Sequence, residues 1–510
     1  MSSNIHAFIN PMSILKKFCL FLSFTIFTLS TIAQTTPKRE FRGTWIHTVG
    51  QGKYAKMSTQ EMKAYFINLL DDLQRLKINA VLFQIRPEAD AWYASPYEPW
   101  SRYITGVQGR NPGWDPLAFM VKECHKRNID LHAWLNPYRV RTSPRKELAP
   151  DHIYFKHPDW FINYGDYIWF DPGNPECREF IETVIKDIVT RYDIDAIHMD
   201  DYFYPYPIVD SQFDDSRSFR KYGLDKGYTI AQKSDWRREN VNKLIEEVHE
   251  LVHKTKPWVE FGVSPFGIYR NQKRDPNGSK TNGLSNYDDL YADVTYWLKM
   301  GWVDYNIPQL YWEIGHRAAD YQILIDWWSK NNYGIPLYIG QDIIRTIRPD
   351  SLKFSQLYRK MLMVSEYPKV TGNCFWPGYE LERNAGGIAD SLTNVYHKYP
   401  AILPANNRYD QTPPKSVTNL VYSKDKDNRL RLSWTAPTAR TEMDKAAYYV
   451  VYRFNSQGDI NLEDPSKIVS ITRSNEYRIP RKPISRKVYV VTAFDRCHNE
   501  SRGELIVVPN

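Results

Sequence analysis

A barrel of eight parallel β-strands alternating with helices, followed by a small all-β sandwich, is the fold class that the 510-residue sequence predicts. Three observations predict it. Between Glu40 and about Pro400, eight strand-like segments alternate with amphipathic helical ones. The strand candidates are near-continuously apolar, as parallel strands covered on both faces must be. The long connections (88–113, 140–174, 203–234 and 270–285) all follow strands and precede helices, whereas the returns from helix to strand are short. That asymmetry marks the C-terminal face, where barrels of this kind carry their chemistry.

The strand candidates, in order, are FRGTWIHT, NAVLFQIRP, DLHAWLNPY, DAIHMDDYF, VEFGVSPFGIY, VDYNIPQLYW, IPLYIGQDI and VTGNCFWPG. After the first comes MSTQEMKAYFINLLDDLQRLK, in which Met62, Phe66, Leu69, Leu70 and Leu73 recur at helical spacing, with Ser58 or Thr59 available as a cap. A second clear helix is DWRRENVNKLIEEVHELVHKT. Residues 39–400 are assigned to the barrel. A doubly wound open sheet is the alternative, but no Gly-rich phosphate turn follows the first strand. Residues 401–416, rich in Pro and Asn, read as a linker. From 417 to 510, short alternating strands such as AAYYVVYRF and KVYVVTAFDRCHNES predict a sandwich that looks like a fibronectin type III module, with Trp434 and Tyr449 in its core.

At the N-terminus, Lys16 and Lys17 precede FCLFLSFTIFTL and then STIAQ. A basic region, a short apolar run and small residues at Thr31 and Ala33 describe a secretory signal peptide spanning residues 1–33. The run is too short to span a membrane, and no later stretch is long enough. The formal charge is +8, and losing Lys16 and Lys17 with the leader leaves +6, mild for this length. With no dense Lys/Arg stripe, nucleic acid is not an expected partner. Beyond Cys19 in the leader, Cys124, Cys177, Cys374 and Cys497 are scattered without CxxC spacing, which argues against a zinc site and leaves disulfides undecided. Aromatics reach 15%, with 16 Trp and 36 Tyr, a composition suited to stacking on sugar rings as well as to a large core.

The candidate chemistry lies at the strand ends. In DAIHMDDYF, alternation sends His198, Asp200 and Tyr202 in one direction, into the barrel mouth, and Asp201 in the other until the strand ends. In VDYNIPQLYWEIGH, Gln309, Tyr311 and Glu313 alternate onto one face, placing Glu313 across the mouth from Asp200. Two carboxyls on non-adjacent strands suit glycoside hydrolysis, which needs them about 5–5.5 Å or 6.5–9.5 Å apart. Asp200 is expected as nucleophile or base, Glu313 as general acid and Asp201 as the reserve acid. Arg86, Trp134, Asn136, Tyr138, Gln309, Tyr311, Trp312, Asp342 and Trp376, with His198 and Tyr202, are expected to bind substrate, the tryptophans by stacking. His132 and His198 show neither HxH nor HExxH spacing, so no metal and no cofactor is expected. Ser264 lacks the GxSxG context of a nucleophile elbow.

Taken in order, FRGTWIHT, NAVLFQIRPEADAWY, LHAWLNPYR, DAIHMDDYFYPYP, FGVSPFGIYRN and VDYNIPQLYWEIGH resemble the glycosyl-hydrolase-like family ten proteins over about Arg39 to Tyr399. The resemblance implies a secreted TIM-barrel glycosidase of a bacterium, exported to the medium, periplasm or cell envelope. The implied partner is a polysaccharide, peptidoglycan glycan strands being one such polymer. Chitinase-like barrels differ: their fourth strand carries DxxDxDxE, and Tyr202 stands here where that terminal acid would be. The rival expectation is a barrel that binds glycan without cleaving it.

Overall fold

The structure, a computed structural model, is described for residues 36–347, 351–424, 426, 429–480 and 486–508, with side chains of 351–355 excepted; the expected signal peptide lies outside these residues. Eight strands close into a barrel: β1 (Phe41–Ile46), β2 (Ala80–Arg86), β3 (Asp130–Leu135), β4 (Ala196–Met199), β5 (Glu260–Val263), β6 (Tyr305–Asn306), β7 (Leu337–Asp342) and β8 (Val370–Trp376). Each pairs in parallel with its neighbours in chain order, and β8 returns to β1. The helix after β1 spans Thr59–Arg75 and buries Met62, Phe66, Leu69, Leu70 and Leu73, the five positions whose spacing predicts it. Ser58 caps it and Glu61 reaches back, a reciprocal capping box.

Two strands are shorter than the sequence suggests. β6 holds only two residues, because Pro308 has no N–H to continue the ladder; Gln309 makes isolated bridges to Phe266 and Gly340. β4 ends at Met199, one residue before the acidic pair. The loop after β3 carries a three-stranded antiparallel sheet (139–141, 161–164 and 167–170), which braces the loop after β4. Trp169 donates from Nε1 to the Phe203 carbonyl at 3.0 Å, and the Ile208 amide donates to the Tyr164 hydroxyl at 2.7 Å.

Seven further strands form two antiparallel sheets: β9 (Thr418–Lys424), β10 (Leu430–Thr435), β11 (Tyr448–Phe454), β12 (Ile468–Thr472), β13 (Glu476–Arg478), β14 (Lys487–Phe494) and β15 (Glu504–Val508). The orders are β9-β10-β13 and β12-β11-β14-β15. Trp434 and Tyr449 meet edge-on in this core at 5.3 Å.

The sandwich closes the N-terminal end of the barrel. Residues 401–416, read from composition as a linker, lack regular structure but are not free. Ala401, Ile402 and Leu403 are buried, and Ile402 pairs with the main chain of Lys38 and Glu40. Pro and Asn content reports the absence of a periodic backbone, not the absence of packing. The four cysteines 124, 177, 374 and 497 are buried and unpaired. No helix among the described residues is long and apolar enough to cross a membrane.

Candidate active site

The barrel mouth holds a cavity of about 250 Å³, into which seven strands or the loops after them contribute side chains. Trp45, His47, Trp134, Tyr202, Tyr206, Tyr311 and Trp376 give it aromatic walls; Gln84, Arg139, Ser264 and Gln309 are polar; Asp200 and Asp201 supply the carboxyls. Because β4 stops at Met199, strict alternation no longer governs the next two residues. Both acids therefore face the same cavity, whereas alternation across the whole segment would have turned Asp201 away. In the following YFYPYP turn the residues do separate: Tyr202 and Tyr206 line the cavity, while Phe203 and Tyr204 are buried behind it.

Asp200 is held on three sides. Its Oδ2 accepts from Trp134 Nε1 at 3.1 Å and from Asn136 Nδ2, and its Oδ1 accepts from the Tyr202 amide at 3.2 Å. The Asn136 amide has one workable orientation. Its Oδ1 accepts from Gln84 Nε2 at 2.7 Å and Arg139 Nη2 at 2.6 Å, which turns Nδ2 toward Asp200. Gln84 is fixed in turn by the Thr48 and Val49 amides, which donate to its Oε1 at 2.8 and 2.9 Å. A relay thus runs from the loop after β1 to Asp200. Burial raises the pKa of Asp200, opposed by the Arg139 charge and these donors.

Asp201 has a different environment. Burial and then the negative charge of Asp200 push its pKa up to about 7, against donation from the Tyr206 hydroxyl and the Gln309 amide. Of the two, Asp200 has the cation and more donors, so it keeps the charge and Asp201 keeps the proton. Adjacent carboxyls in one cavity, ionised to different extents, are the arrangement that acid–base catalysis requires.

His198 does not line the cavity; it sits beneath it, fully buried. Trp45 Nε1, which can only donate, reaches His198 Nε2 at 3.2 Å, so that nitrogen accepts and Nδ1 carries the hydrogen toward the Tyr305 hydroxyl at 3.1 Å. Tyr305 then donates to His132 Nδ1 at 2.7 Å. Burial holds both histidines neutral, with the pKa of His132 lowered to about 4. Gly262 makes room for this chain: a Cβ there would meet the Tyr305 ring at 2.0 Å.

Other expected site residues lie elsewhere, each for a physical reason. Glu313 follows the break at Pro308 and sits in a half-exposed loop off the cavity, on the side of buried Lys360. Arg86 is fully buried, bidentate to Glu98 and bound to the Asn136 and Pro137 carbonyls, so it braces the β3 end and touches no open space. Tyr138 is packed in the outer core. Trp312 packs edge-on against Phe266 at 5.3 Å. Asp342 caps the helix Ile343–Ile347 through the Arg345 amide at 3.0 Å. Asn136 supports Asp200 without lining the cavity. Trp134, Tyr202, Gln309, Tyr311 and Trp376 do line it.

Arg139, Tyr206 and Ser264 also line the cavity, and Trp45, His47, Val49 and Gln84 complete the wall without having been expected there. Trp45 and Gln84 lie within β1 and β2, so inward alternation along those strands is a signal that could have found them. His47 is neutral, its pKa lowered to about 4 by burial and the Lys53 charge, and lies 4.6 Å from Trp376. A second grouping, His249, His253 and Asp304, has ligand-type atoms within 4.8 Å of one another. Its carboxylate is already taken by Arg408, Tyr409, His253 and the Phe261 amide.

A buried carboxyl pair in an aromatic-walled cavity at the C-terminal mouth of a parallel barrel defines a glycosidase-like barrel. Residues 40–358 match the family described as Glycosyl hydrolase-like 10, and the chain belongs to that family. It is similar to glycosyl hydrolase YngK of Bacillus subtilis (strain 168), 39% identical over 504 residues that make up 96% of this chain and 97% of that protein. It is also similar to glycosyl hydrolase DigH of Escherichia coli (strain K12), 40% identical over 334 residues, 61% of this chain and 75% of that protein. Among solved structures it resembles the PgaB (BpsB) glycoside hydrolase domain from Bordetella bronchiseptica, at 11% identity and a TM-score of 0.49 over 70% of this chain and 99% of that one.

Proposed function

We propose that the protein is a glycoside hydrolase that cleaves a polysaccharide outside the cytoplasm, with peptidoglycan glycan strands the polymer to test first. The observation that carries this reading is the Asp200–Asp201 pair, with Asp201 protonated close to neutral pH inside an aromatic-walled cavity. Asp201 is the general acid: it gives its proton to the glycosidic oxygen as the bond to the anomeric carbon breaks, and its carboxylate then takes a proton from the incoming water. Asp200 stays ionised and offsets the positive charge that grows on the sugar ring. Trp376, Trp134 and Tyr202 supply faces on which the sugar packs. Membership of a glycosyl-hydrolase-like family and 39% identity to a protein named a glycosyl hydrolase support the reading.

The test is release of reducing ends from peptide-free glycan strands and other defined polysaccharides by wild type, Asp200→Asn and Asp201→Asn. Wild type should cleave, and each variant should lose about 10²–10⁴-fold in rate. Glycan binding with no reducing ends from wild type would mean that the barrel binds without cleaving. Equal turnover by all three proteins would remove the pair from the chemistry.

A further inference from the structure

Two-carboxylate hydrolysis places one carboxyl on each side of the scissile bond, about 5–5.5 Å apart for retention and 6.5–9.5 Å for inversion. This cavity is built differently. Asp200 and Asp201 are its only carboxyls among the described residues, and both leave the end of one strand, β4. The wall across the barrel, from β1 and β8, is Trp45, His47, Val49 and Trp376. An acid at β4 thus has no opposing carboxylate to attack the sugar from the other side.

Asp200 is also largely occupied. A carboxylate offers about four lone-pair positions, and Trp134, Asn136 and the Tyr202 amide occupy three of them. The position left on Oδ1 can accept one more N–H. Nearby, the Tyr311 side chain lines the same cavity, and its hydroxyl has no hydrogen-bond partner among the described residues. The site therefore offers one free acceptor and one free hydroxyl donor beside an acid. A secondary amide, with one N–H and one carbonyl, matches that set.

We propose that the substrate supplies its own nucleophile, the carbonyl oxygen of a 2-acetamido group on the sugar that is cleaved. This rests on the glycosidase reading above and deepens it: the substrates are 1,2-trans glycosides of 2-acetamido-2-deoxy sugars, because only that arrangement lets the acetamide reach the face opposite the leaving group. In the first step the carbonyl oxygen bonds to C1, the C1–O glycosidic bond breaks, and Asp201 passes its proton to the departing oxygen. Asp200 accepts the acetamide N–H and offsets the charge of the cyclic oxazolinium ion. The Tyr311 hydroxyl donates to the carbonyl oxygen and orients it. In the second step water adds to C1 and gives a proton to the Asp201 carboxylate, the C1–O bond to the acyl group breaks, and the acetamide is restored. One water is consumed, no oxidation state changes, and the anomeric configuration is retained.

The full-length protein is tested on three samples of one polymer: peptide-free glycan strands, the same strands after chemical N-deacetylation, and those strands re-acetylated. Cleavage of the first and third with at least about 10²-fold loss on the second is expected, because the deacetylated sugar leaves the amide-binding groups unpaired. Proton NMR should show the β-anomer released first. A thiazoline analogue of the oxazolinium ion should inhibit competitively, with its binding by calorimetry weakened about tenfold or more in Asp200→Asn. Tyr311→Phe should lower kcat more than it raises KM. On a nitrophenyl glycoside of the acetamido sugar, whose leaving group needs no proton, the first-step release of nitrophenol should fall far less in Asp201→Asn than in Asp200→Asn. Equal cleavage of acetylated and deacetylated strands, or release of the α-anomer, overturns the participation of the acetamide and leaves the glycosidase reading standing. Failure to cleave any strand together with no thiazoline binding overturns both. Thiazoline binding that depends on Asp200, without strand cleavage, supports the acetamide site and rejects only the choice of polymer.

Discussion

The two ends of the barrel make opposite use of the same residue type. At the N-terminal end, Asp130, Asp195, Glu260 and Asp304 stand at or just before the starts of β3, β4, β5 and β6. The sandwich and the segment leading into it meet them with complementary groups. His498 Nε2 lies 3.4 Å from Asp130, Arg473 3.8 Å from it, and Arg408 3.2 Å from Asp304, while Asn406 donates to Glu260 at 3.0 Å. His125, from the barrel itself, binds Asp195 at 2.8 Å. Charge partners hold Asp195 and Asp304 below the ordinary carboxylate range; Glu260, whose direct partner is a neutral amide, is pushed up to about 8 by burial. At the C-terminal end, the cation lining the cavity, Arg139, acts on Asp200 and not on Asp201, and both acids are pushed up. Partnered acids stabilise a fold, while acids left short of counter-charge are poised to exchange protons.

Substitutions at the two ends should therefore separate activity from stability. The largest effect expected is Asp201→Asn, with a loss of about 10²–10⁴-fold in kcat/KM on unactivated glycans and no fall in the urea midpoint, since a buried carboxyl with a raised pKa is removed. Asp304→Asn should do the reverse. It removes the fully buried carboxylate that pairs with partly exposed His253 and Arg408, at a cost of about 3 kcal/mol, with turnover per folded molecule unchanged. Loss of turnover without loss of stability at Asp304 would erase the contrast between the ends.

A smaller effect tests the relay behind Asp200. Asn136→Leu should lower kcat about tenfold to a hundredfold with little change in KM, because it removes one donor from Asp200 and leaves Gln84 Nε2 without its acceptor. The pH dependences should also differ in sign. Activity should fall as pH rises through about 7, where Asp201 loses the proton it must donate. Stability has two edges. His125 and His498 have folded pKa values raised by Asp195 and Asp130, so their contribution is fully present below about 6.5 and is lost as pH rises through the folded values. Asp195 and Asp304 have lowered values, so theirs is present above about 4 and lost as pH falls through the folded values. Urea midpoints measured from pH 2 to 9 check this, and His498→Gln should flatten the alkaline edge. The smallest effect is at the rim. Arg496 binds half-exposed Asp193 at 2.6 Å, and Asp193→Asn should change stability by less than about 1 kcal/mol.

Much of the architecture was legible because it is written in local periodicity. Five buried positions of the helix Thr59–Arg75 follow from a 3.6-residue repeat, and the eight barrel strands from apolar runs between helices. The site was legible only where a strand runs straight to its end. Trp134 and Asn136, at the end of β3, fall where alternation puts them. Glu313 does not, because Pro308 ends the ladder of β6 and the residues after it follow a loop. Asp201 was assigned away from the mouth because alternation was carried past the last hydrogen-bonded residue of β4. Tyr202 occupies the place of the missing chitinase-type acid, and in the present reading the acid stands one residue earlier, at Asp201.

By itself, then, the sequence determined the strand and helix order, the face that bears the long loops and the motifs of the family, all of which depend on neighbours along the chain. Only the tertiary structure decided which carboxyls share a cavity, which arginines are consumed in bracing and how the sandwich covers the acids at the other end. Those outcomes depend on where each strand stops and on which distant side chain reaches a charge first, and neither is set by spacing along the chain.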